Sequence, residues 1–416
     1  MDKNRVVNRE HAARCVCSVA VWGAKMRTYE RTHPWITFQL DTRRLDHECW
    51  MLLGEAISKL EHIAGVPLQP DVAAELNTVY LTKGAHATTQ IEGNTLTEQD
   101  VRKRVDQELP LPPSQEYLGQ EIDNVIRGYN QIVHEVADGT PLTLTRARIC
   151  EFNKIVLDQL PMDGDSKPGD IRTTSVLVGS HYRGAPAEDC AFLIDRLCTW
   201  LEDLRATDGV MRQPAAVLAA IMAHLYIAWI HPFEDGNGRT ARLIEYQMTV
   251  QAGAPTVAAH VLADHYNKTR AEYYRQLRRT SQVPYDVSAF IKYALQGLVD
   301  GLRQQIAEIQ GQQMGVTWRN YVHEAFHEKT TPACARQRRL LLSLPVGHWT
   351  KRGDIRGVTP AIAEEYAGRE EKTISRDINA LHKMGLLITA GRGATLRVAP
   401  RTAILRAFMP LVADQD

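Results

Sequence analysis

The sequence predicts a mainly α-helical protein of several domains, with a small β-hairpin and a C-terminal winged helix-turn-helix. The chain has 416 residues, 44% hydrophobic and 24% charged, enough to form two or three packed domains. Apolar residues recur at helical spacing over most of its length. Residues 335–406 hold 14 Lys and Arg but 6 Asp and Glu, although the formal net charge of the whole chain is zero. Any electrostatic attraction to nucleic acid is therefore expected to be local to this end.

The N-terminal half is predicted to consist of helices separated by proline and glycine clusters. Apolar residues follow helical spacing over three stretches, Leu45 to about Ile91, Tyr117 to Val136 and Thr145 to Gln159. The clusters at 109–113 and 159–169 cannot continue a helix and are predicted as connectors. Residues 175–182 form the strongest candidate for a hairpin.

The C-terminal half begins with the most apolar segment of the chain. Pro214 to Ile230 has almost no polar face, which predicts a central helix surrounded by other helices. The apolar run within it is interrupted by His224 and is shorter than the roughly 18 to 20 residues that span a membrane. Two further helices are predicted at 264–279 and 287–309.

The basic end has the pattern of a winged helix-turn-helix. A short helix around 362–367 and a turn at Gly368 precede a second helix, 372–384, and a hairpin formed by 386–388 and 395–398. Four residues on the outer face of the second helix are candidates for contact with DNA: Thr373, Ser375, Arg376 and Asn379. Such modules also pair proteins, so the pattern alone does not choose the partner.

These observations divide the chain into six segments. They are an N-terminal extension (1–25), a helical region (26–110), a core (111–309), a connector (310–334), the winged helix (335–406) and a tail (407–416). The extension is apolar from Cys15 to Ala24 but has no convincing cleavage site, so it does not favour a secretory signal, and either Met1 or Met26 could be the start. Seven cysteines without framework spacing favour a reducing compartment. We expect a cytoplasmic protein without membrane contact, and a homodimer is compatible with the sequence.

One motif dominates the sequence, His231-Pro-Phe-Glu-Asp-Gly-Asn-Gly-Arg-Thr-Ala-Arg242. Its small and polar residues suit an anion, because Gly236 and Gly238 let backbone N–H groups approach it and Asn237 can donate its amide. A helix that begins here would add a favourable N-terminal dipole. The loop is therefore predicted to bind phosphate.

The charged residues of the motif extend this prediction to a nucleotide. Arg239 and Arg242 lie three residues apart on one helical face, and two guanidinium groups suit a polyphosphate. Asp235 offers the carboxylate that Mg²⁺ prefers when it also binds nucleotide oxygens. His231 follows the predicted buried helix and is the candidate general base.

The motif resembles the signature of the Fic (filamentation induced by cAMP) family, His-Pro-Phe-x-(Asp/Glu)-Gly-Asn-Gly-Arg-x-x-Arg, at every specified position. The resemblance implies a Fic-type helical core and a protein adenylyltransferase, which transfers AMP from ATP to a Ser, Thr or Tyr hydroxyl of a target protein. It further implies that His231 deprotonates the hydroxyl and that Asp235 holds Mg²⁺. Asn237 and the loop amides would hold the α-phosphate, and Arg239 and Arg242 would bind the outer phosphates.

The resemblance extends to both sides of the motif, from about Trp35 to Ile309. The segment ahead of it is similar to the family's flap hairpin, whose edge aligns the target by strand addition; the matching positions are Pro168-Gly-Asp-Ile-Arg172, Val176, Val178, Gly179, Tyr182 and Pro186. Ala185 departs from this pattern, where a second proline is common. Residues 270–277 are similar to a helix that closes the adenine pocket, with Tyr273 and Tyr274 as candidates.

A second motif, Thr88-Thr-Gln-Ile-Glu92-Gly93-Asn94, resembles the family's inhibitory pattern (Ser/Thr)-x-x-x-Glu-(Gly/Asn), placed N-terminal to the core. A helix that ends at Gly93 can present Glu92 to a cation. A carboxylate paired with Arg242 would compete with the γ-phosphate for that guanidinium, which predicts autoinhibition.

Two alternatives to AMP transfer remain open. With Glu92 positioning water, removal of AMP could be the principal activity, or another phosphate-containing group could be transferred. The chain could instead be a transcriptional regulator whose core senses nucleotide and whose winged helix binds DNA.

Overall fold

The computed structural model describes residues 26–68, 70–106, 109–162, 167–178 and 182–406. Within these ranges the chain is mainly helical. Its helices are α1 (Thr28–Thr32), α2 (His47–Ala64), α3 (Pro70–Ile91), α4 (Glu98–Val105), α5 (Glu116–Ala137), α6 (Arg146–Val156), α7 (Ala187–Arg205), α8 (Arg212–Ile230), α9 (Asn237–Gln251), α10 (Val261–Lys268), α11 (Arg270–Thr280), α12 (Ser288–Ala325), α13 (Pro332–Ser343), α14 (Pro360–Glu365), α15 (Glu371–Lys383) and α16 (Ala403–Arg406). The strands are β1 (Leu177–Val178), β2 (Tyr182–Arg183), β3 (Thr350–Lys351), β4 (Leu387–Ala390) and β5 (Arg397–Pro400). The predicted extension 1–25 and tail 407–416, and Gly179 of the predicted flap, lie outside the described residues.

Helix α8 is the central helix that the sequence predicts. It packs against α7, α9, α2 and α12, and nearly every side chain from Ala215 to Ile230 is buried. The segment Gly209–Ile230 is long and apolar enough to cross a bilayer by length and composition, but 83% of its most apolar window is buried within the protein. Its apolar surface is therefore covered by neighbouring helices, as in a core helix.

The described residues form two hydrophobic cores that share one long helix. The larger core extends from Tyr29 to Ile309, and the smaller one extends from Trp318 to Val398. Helix α12 contributes to both, because Leu302 packs in the first and Val322 in the second. The stretch 310–334, predicted as a connector, is therefore helical as far as Ala325.

Two other predicted helices differ in their bounds. The stretch predicted as one helix at 264–279 is divided between α10 and α11 at Thr269, whose φ of −117° and ψ of 35° are not helical. The Thr269 hydroxyl donates a 2.7 Å hydrogen bond back to the carbonyl of His265, which competes with regular helix geometry. Helix α6 ends at Val156, three residues before the predicted end at Gln159, which has a positive φ of 56°.

The strands form two small antiparallel sheets. In the first, Leu177 pairs with Arg183 and Val178 with Tyr182, which gives the hairpin predicted within 175–182. In the second, the strand order is β3-β5-β4, with Leu387 opposite Pro400. The second sheet lies beside α13, α14 and α15, so the basic end has the helices and hairpin that the sequence predicts there.

Candidate functional site

The signature forms a tight loop between α8 and α9. Helix α8 ends at His231, which has left-handed backbone angles of φ 49° and ψ 60°. Gly236 precedes α9 with a φ of 74°, and a Cβ atom there would lie 3.0 Å from both Asn153 Nδ2 and Leu157 Cγ. Only glycine suits this position, because both the backbone angle and the available space exclude a side chain.

The side chain of Asn237 holds the loop in shape. Its Nδ2 donates to the carbonyl of Phe233 at 2.8 Å, and its Oδ1 accepts from the Phe233 N–H at 3.0 Å. One N–H of Nδ2 is used within the loop and the second is free to donate, so the expectation that Asn237 donates its amide to a phosphate stays a prediction. In the structure these two bonds fix the loop backbone at Phe233.

Asn153 on α6 ties the loop to the rest of the core. Its Nδ2 donates to the carbonyl of Asp235 at 2.9 Å, and its Oδ1 accepts from the Gly169 N–H at 2.9 Å. Sequence reasoning did not find this residue. An isolated asparagine on a predicted helix carries no signal that it contacts a loop about 80 positions away.

Arg172 joins the flap hairpin to the same loop. Its buried guanidinium donates to the carbonyls of His231 at 2.6 Å, Thr174 at 2.5 Å and Ile230 at 3.3 Å, and also to that of Ala185. The sequence identifies Arg172 only as part of a family pattern. In the structure, it holds β2 and the end of α8 together, so that the hairpin lies beside His231.

The two signature arginines are buried and only partly satisfied. Arg239 and Arg242 are 5% and 2% exposed. Within the described residues, the Nε atoms of both arginines and Nδ1 of His231 are buried without a hydrogen-bond partner. Buried polar atoms are normally paired, so these three nitrogens fit a site that a polar ligand completes.

Glu92 lies where the sequence predicts it, at the end of α3 against Arg242. Its Oε1 is 2.5 Å from Arg242 Nη2, which also donates to the carbonyl of Thr88 at 2.9 Å. A Cβ atom on Gly238 would overlap the Glu92 carboxylate. The carboxylate therefore lies against Gly238 in the first turn of α9, on the surface predicted to receive a phosphate.

The charges of the site set the protonation of Glu92. Desolvation raises the pKa of Glu92, but the charge and hydrogen bond of Arg242 and the nearby Arg239 and His231 more than offset this, so the pKa is lowered. The side chain is 31% exposed, and the glutamate is ionised at neutral pH.

His231 is neutral at the same pH. Burial lowers the pKa of His231 to about 4, although the backbone of Ala228 and the nearby carboxylates of Glu92 and Asp235 raise it. An unprotonated imidazole can accept a proton, which is the property that a general base requires.

Asp235 extends from the loop toward solvent. Its side chain is 61% exposed, its Oδ1 accepts from the Gly236 N–H at 2.5 Å, and its Oδ2 is 3.5 Å from Arg239 Nη2. Within the described residues, no group of three or more His, Cys, Asp or Glu side chains could hold a metal ion. A single exposed carboxylate fits Mg²⁺ that takes its other ligands from phosphate and water.

The two candidate tyrosines have different environments. Tyr273 is buried, and its hydroxyl lies 2.9 Å from Nε2 of His224. Tyr274 is exposed, with the Arg270 guanidinium 5.9 Å from its ring centroid. Tyr273 is therefore part of the core, and Tyr274 is the one of the two that is open to a ligand.

The candidate DNA-binding residues on α15 are not all exposed. Arg376 and Asn379 are exposed, whereas Thr373 and Ser375 are half-buried. The inner side of α15 is fixed by buried Asp377, which accepts hydrogen bonds from Arg336 and Tyr366.

Fold and site together define a helical domain with a tight glycine-containing loop, a neutral histidine and two buried arginines. Residues 143–249 match the Fic/DOC family, so the chain contains a Fic domain. Two curated relatives carry the name protein adenylyltransferase Fic. The one from Drosophila grimshawi is 30% identical over 208 residues, 49% of this chain and 38% of the relative. The one from Drosophila ananassae is 28% identical over 259 residues, 61% of this chain and 46% of the relative.

This chain thus spans less than half the length of the curated relatives that it matches. A crystal structure of a Fic family protein from Desulfovibrio desulfuricans G20 superposes with a TM-score of 0.53 and 18% identity. The alignment covers 86% of this chain and 96% of that one. At this level of identity the likeness shows a shared fold.

Proposed function

We propose that the protein is an adenylyltransferase that transfers AMP from ATP to a Ser, Thr or Tyr hydroxyl of a target protein. One observation carries the proposal. The neutral His231 lies on the loop that leads into α9, and α9 carries Arg239 and Arg242, whose Nε atoms are buried without a partner in the described residues. The names of the curated relatives support the same activity.

In the proposed reaction His231 accepts the proton of the target hydroxyl. The hydroxyl oxygen attacks the α-phosphorus and forms a new P–O bond while the bond from the α-phosphorus to the bridging oxygen breaks. Pyrophosphate leaves with the electron pair of that bond. Mg²⁺, held by Asp235, would neutralise charge on the phosphates.

The loop and its arginines would hold the nucleotide. The N–H groups at the start of α9 favour an anion, and Gly238 leaves space for it. Arg239 and Arg242 would bind the outer phosphates, and Tyr274 would border the base. Titration of activity with Mg²⁺ tests the role of Asp235, because unchanged titration curves in Asp235→Ala would assign the metal to another group.

The hairpin β1–β2 would present the target. Arg172 holds this hairpin beside His231, and Leu177 on β1 is exposed. An extended target segment could add to the exposed edge as a further strand, which would bring one hydroxyl to the imidazole.

The Glu92 contact supports an autoinhibited enzyme. A carboxylate on Arg242 competes with the γ-phosphate, so we expect low activity in the intact chain. Removal of AMP by water that Glu92 positions, or transfer of another phosphate-containing group, is the alternative within the same site.

A second function is favoured by the basic end. The charge excess of 335–406 and the exposed Arg376 and Asn379 on α15 support DNA binding, which would fit a nucleotide-sensing regulator in the cytoplasm. Fluorescence anisotropy with labelled duplex DNA at several salt concentrations tests it. Weak binding that Arg376→Ala leaves unchanged would count against it. A homodimer is compatible with either function.

The proposed activity is tested with labelled ATP in cell lysate, followed by mass spectrometry of the products. The Glu92→Gly variant should label protein hydroxyls with AMP, and Glu92→Gly with His231→Ala should not. Labelling that survives the loss of His231 would contradict the assignment of the base.

A further inference from the structure

Arg239, like Arg242, is paired with a carboxylate from outside the signature. Glu121 on α5 places Oε1 2.8 Å from Arg239 Nη1. The Glu121 side chain is 16% exposed and that of Arg239 is 5% exposed, so the pair is largely shielded from solvent. Shielded ion pairs are screened less by salt than surface pairs, and this one has direct hydrogen-bond geometry.

Asn94 holds the other oxygen of Glu121. Its Nδ2 donates to Glu121 Oε2 at 2.8 Å and to the carbonyl of Leu118 at 2.9 Å. Its Oδ1 accepts from the Leu96 N–H at 3.0 Å. Asn94 is buried, so these contacts fix Glu121 in place against Arg239.

The turn that carries Asn94 is the turn that carries Glu92. Gly93, with a φ of 107°, donates its N–H to the carbonyl of Gln90 at 3.0 Å, and Asn94 donates its own to Thr89 at 3.1 Å. These two bonds are the Schellman pattern that ends a helix. Glu92 and Asn94 are therefore fixed relative to each other by the backbone of one turn.

We propose that Glu121 is a second inhibitory carboxylate, which acts on Arg239 and is coupled through Asn94 to the Glu92 turn. The inference rests on the proposed function, because Arg239 must receive nucleotide phosphate. Glu92, Glu121 and Asp235 together outweigh the charges of Arg239 and Arg242, so the arginines are neutralised before a triphosphate arrives. Removing Glu92 frees Arg242 and leaves Arg239 paired.

The test is nucleotide binding and turnover in a background that already lacks Glu92. The affinity for MgATP, and KM and kcat for AMP transfer, are measured in Glu92→Gly and in Glu92→Gly with Glu121→Gln. Glutamine keeps the shape and an acceptor for Asn94 but removes the charge. We expect Kd and KM to fall about tenfold, the effect of weakening one charge-assisted hydrogen bond, with kcat changed less than about threefold.

Two controls distinguish a specific effect of Glu121 on Arg239 from a general effect of replacing a glutamate on α5. Glu116→Gln makes the same substitution on the same helix, but Glu116 pairs with Arg104, so nucleotide affinity should not change. The gain from Glu121→Gln should disappear when Arg239 is also replaced by alanine. If Glu121→Gln does not fold, Glu121→Asp withdraws the carboxylate by one methylene, and tighter MgATP binding is again expected.

The outcomes distinguish a failure of the Glu121 proposal from a failure of the proposed adenylyltransferase function. If Glu92→Gly binds MgATP and transfers AMP but Glu121→Gln leaves Kd unchanged or weakens binding, Glu121 supports Arg239 rather than restraining it, and the inference is wrong. If no variant binds MgATP, the proposed function fails and the inference fails with it.

Discussion

At the scale of single residues, His231 combines a left-handed backbone with a buried ring. Its backbone lies in the left-handed region, with φ 49°, and its ring is buried enough to lower its pKa to about 4. Such a conformation costs energy, and here the contacts of Arg172 with the His231 carbonyl hold it. The histidine is therefore held in position and kept unprotonated, as the proposed general base needs.

Replacing His231 by alanine should remove AMP transfer while MgATP still binds. In the proposed reaction the imidazole would remove the hydroxyl proton, whereas Arg239, Arg242 and the loop amides would hold the nucleotide. In the Glu92→Gly background we expect a loss of at least about a hundredfold in kcat, with the Kd for MgATP little changed. Equal AMP incorporation with and without His231 would contradict the assignment.

The pH dependence follows from the lowered pKa of His231. The neutral imidazole is the active form, and it persists at all pH values above its pKa of about 4. The kcat/KM of Glu92→Gly should therefore be level through neutral pH and decline only as the pH falls toward about 4. A midpoint at the ordinary histidine value of 6.5, absent when His231 is replaced, would contradict this account.

Residues in continuous motifs could be predicted from the sequence, whereas residues that act through long-range contacts could not. The signature and the Glu92 motif are continuous in sequence, and the two side chains expected to face each other, Glu92 and Arg242, do lie in contact. Asn153 and Glu121 act across about 80 to 120 positions, and neither belongs to a recognisable motif. Their roles follow only from how the helices pack.

At the scale of elements, the site depends on how helix ends are held. Helix α8 ends at Ile230, α9 begins at Asn237 and α3 ends at Ile91, so three helix ends meet around the loop. The position of α8 could be predicted, because the segment from Pro214 to Ile230 is apolar on almost every side. The break between α10 and α11 at Thr269 was not predicted from the sequence.

Asn153→Ala should destabilise the loop without removing a side chain that is proposed to contact the nucleotide. It leaves the Asp235 carbonyl and the Gly169 N–H without their partner, which costs about 1–3 kcal/mol of unfolding free energy. Denaturant unfolding measures the loss, and AMP transfer by the Glu92→Gly background should fall as well. Asn130→Ala on the exposed side of α5 is the matched control. Equal stability and activity in both variants would show that Asn153 does not hold the loop.

At the scale of the whole molecule, two cores are joined by α12. The stretch 310–334, predicted as a connector, is helical as far as Ala325, and its Trp318 and Val322 pack in the second core. Polar residues between the two apolar stretches resemble a linker in sequence, whereas in the structure they lie on a continuous helix. The loop that follows α8 is anchored in the first core by Ile230 and Phe233.

Trp318→Ala should therefore destabilise the second core and spare the first. Deleting this buried ring costs about 3–5 kcal/mol where it packs, so calorimetry should show a lowered transition for the C-terminal part. AMP transfer in the Glu92→Gly background should be unchanged. The exposed Trp349→Ala is the control. Loss of AMP transfer together with the lowered transition would show that the two cores depend on each other.

The central claim is that this chain transfers AMP and that Glu92 restrains it through Arg242. Auto-modification with labelled ATP is measured for the unaltered protein, Glu92→Gly, Arg242→Ala and the double variant. We expect Glu92→Gly to raise labelling by about tenfold to a hundredfold, because it releases one charge-assisted contact. The double variant should lose this gain. Equal labelling by the unaltered protein and Glu92→Gly would contradict the claim.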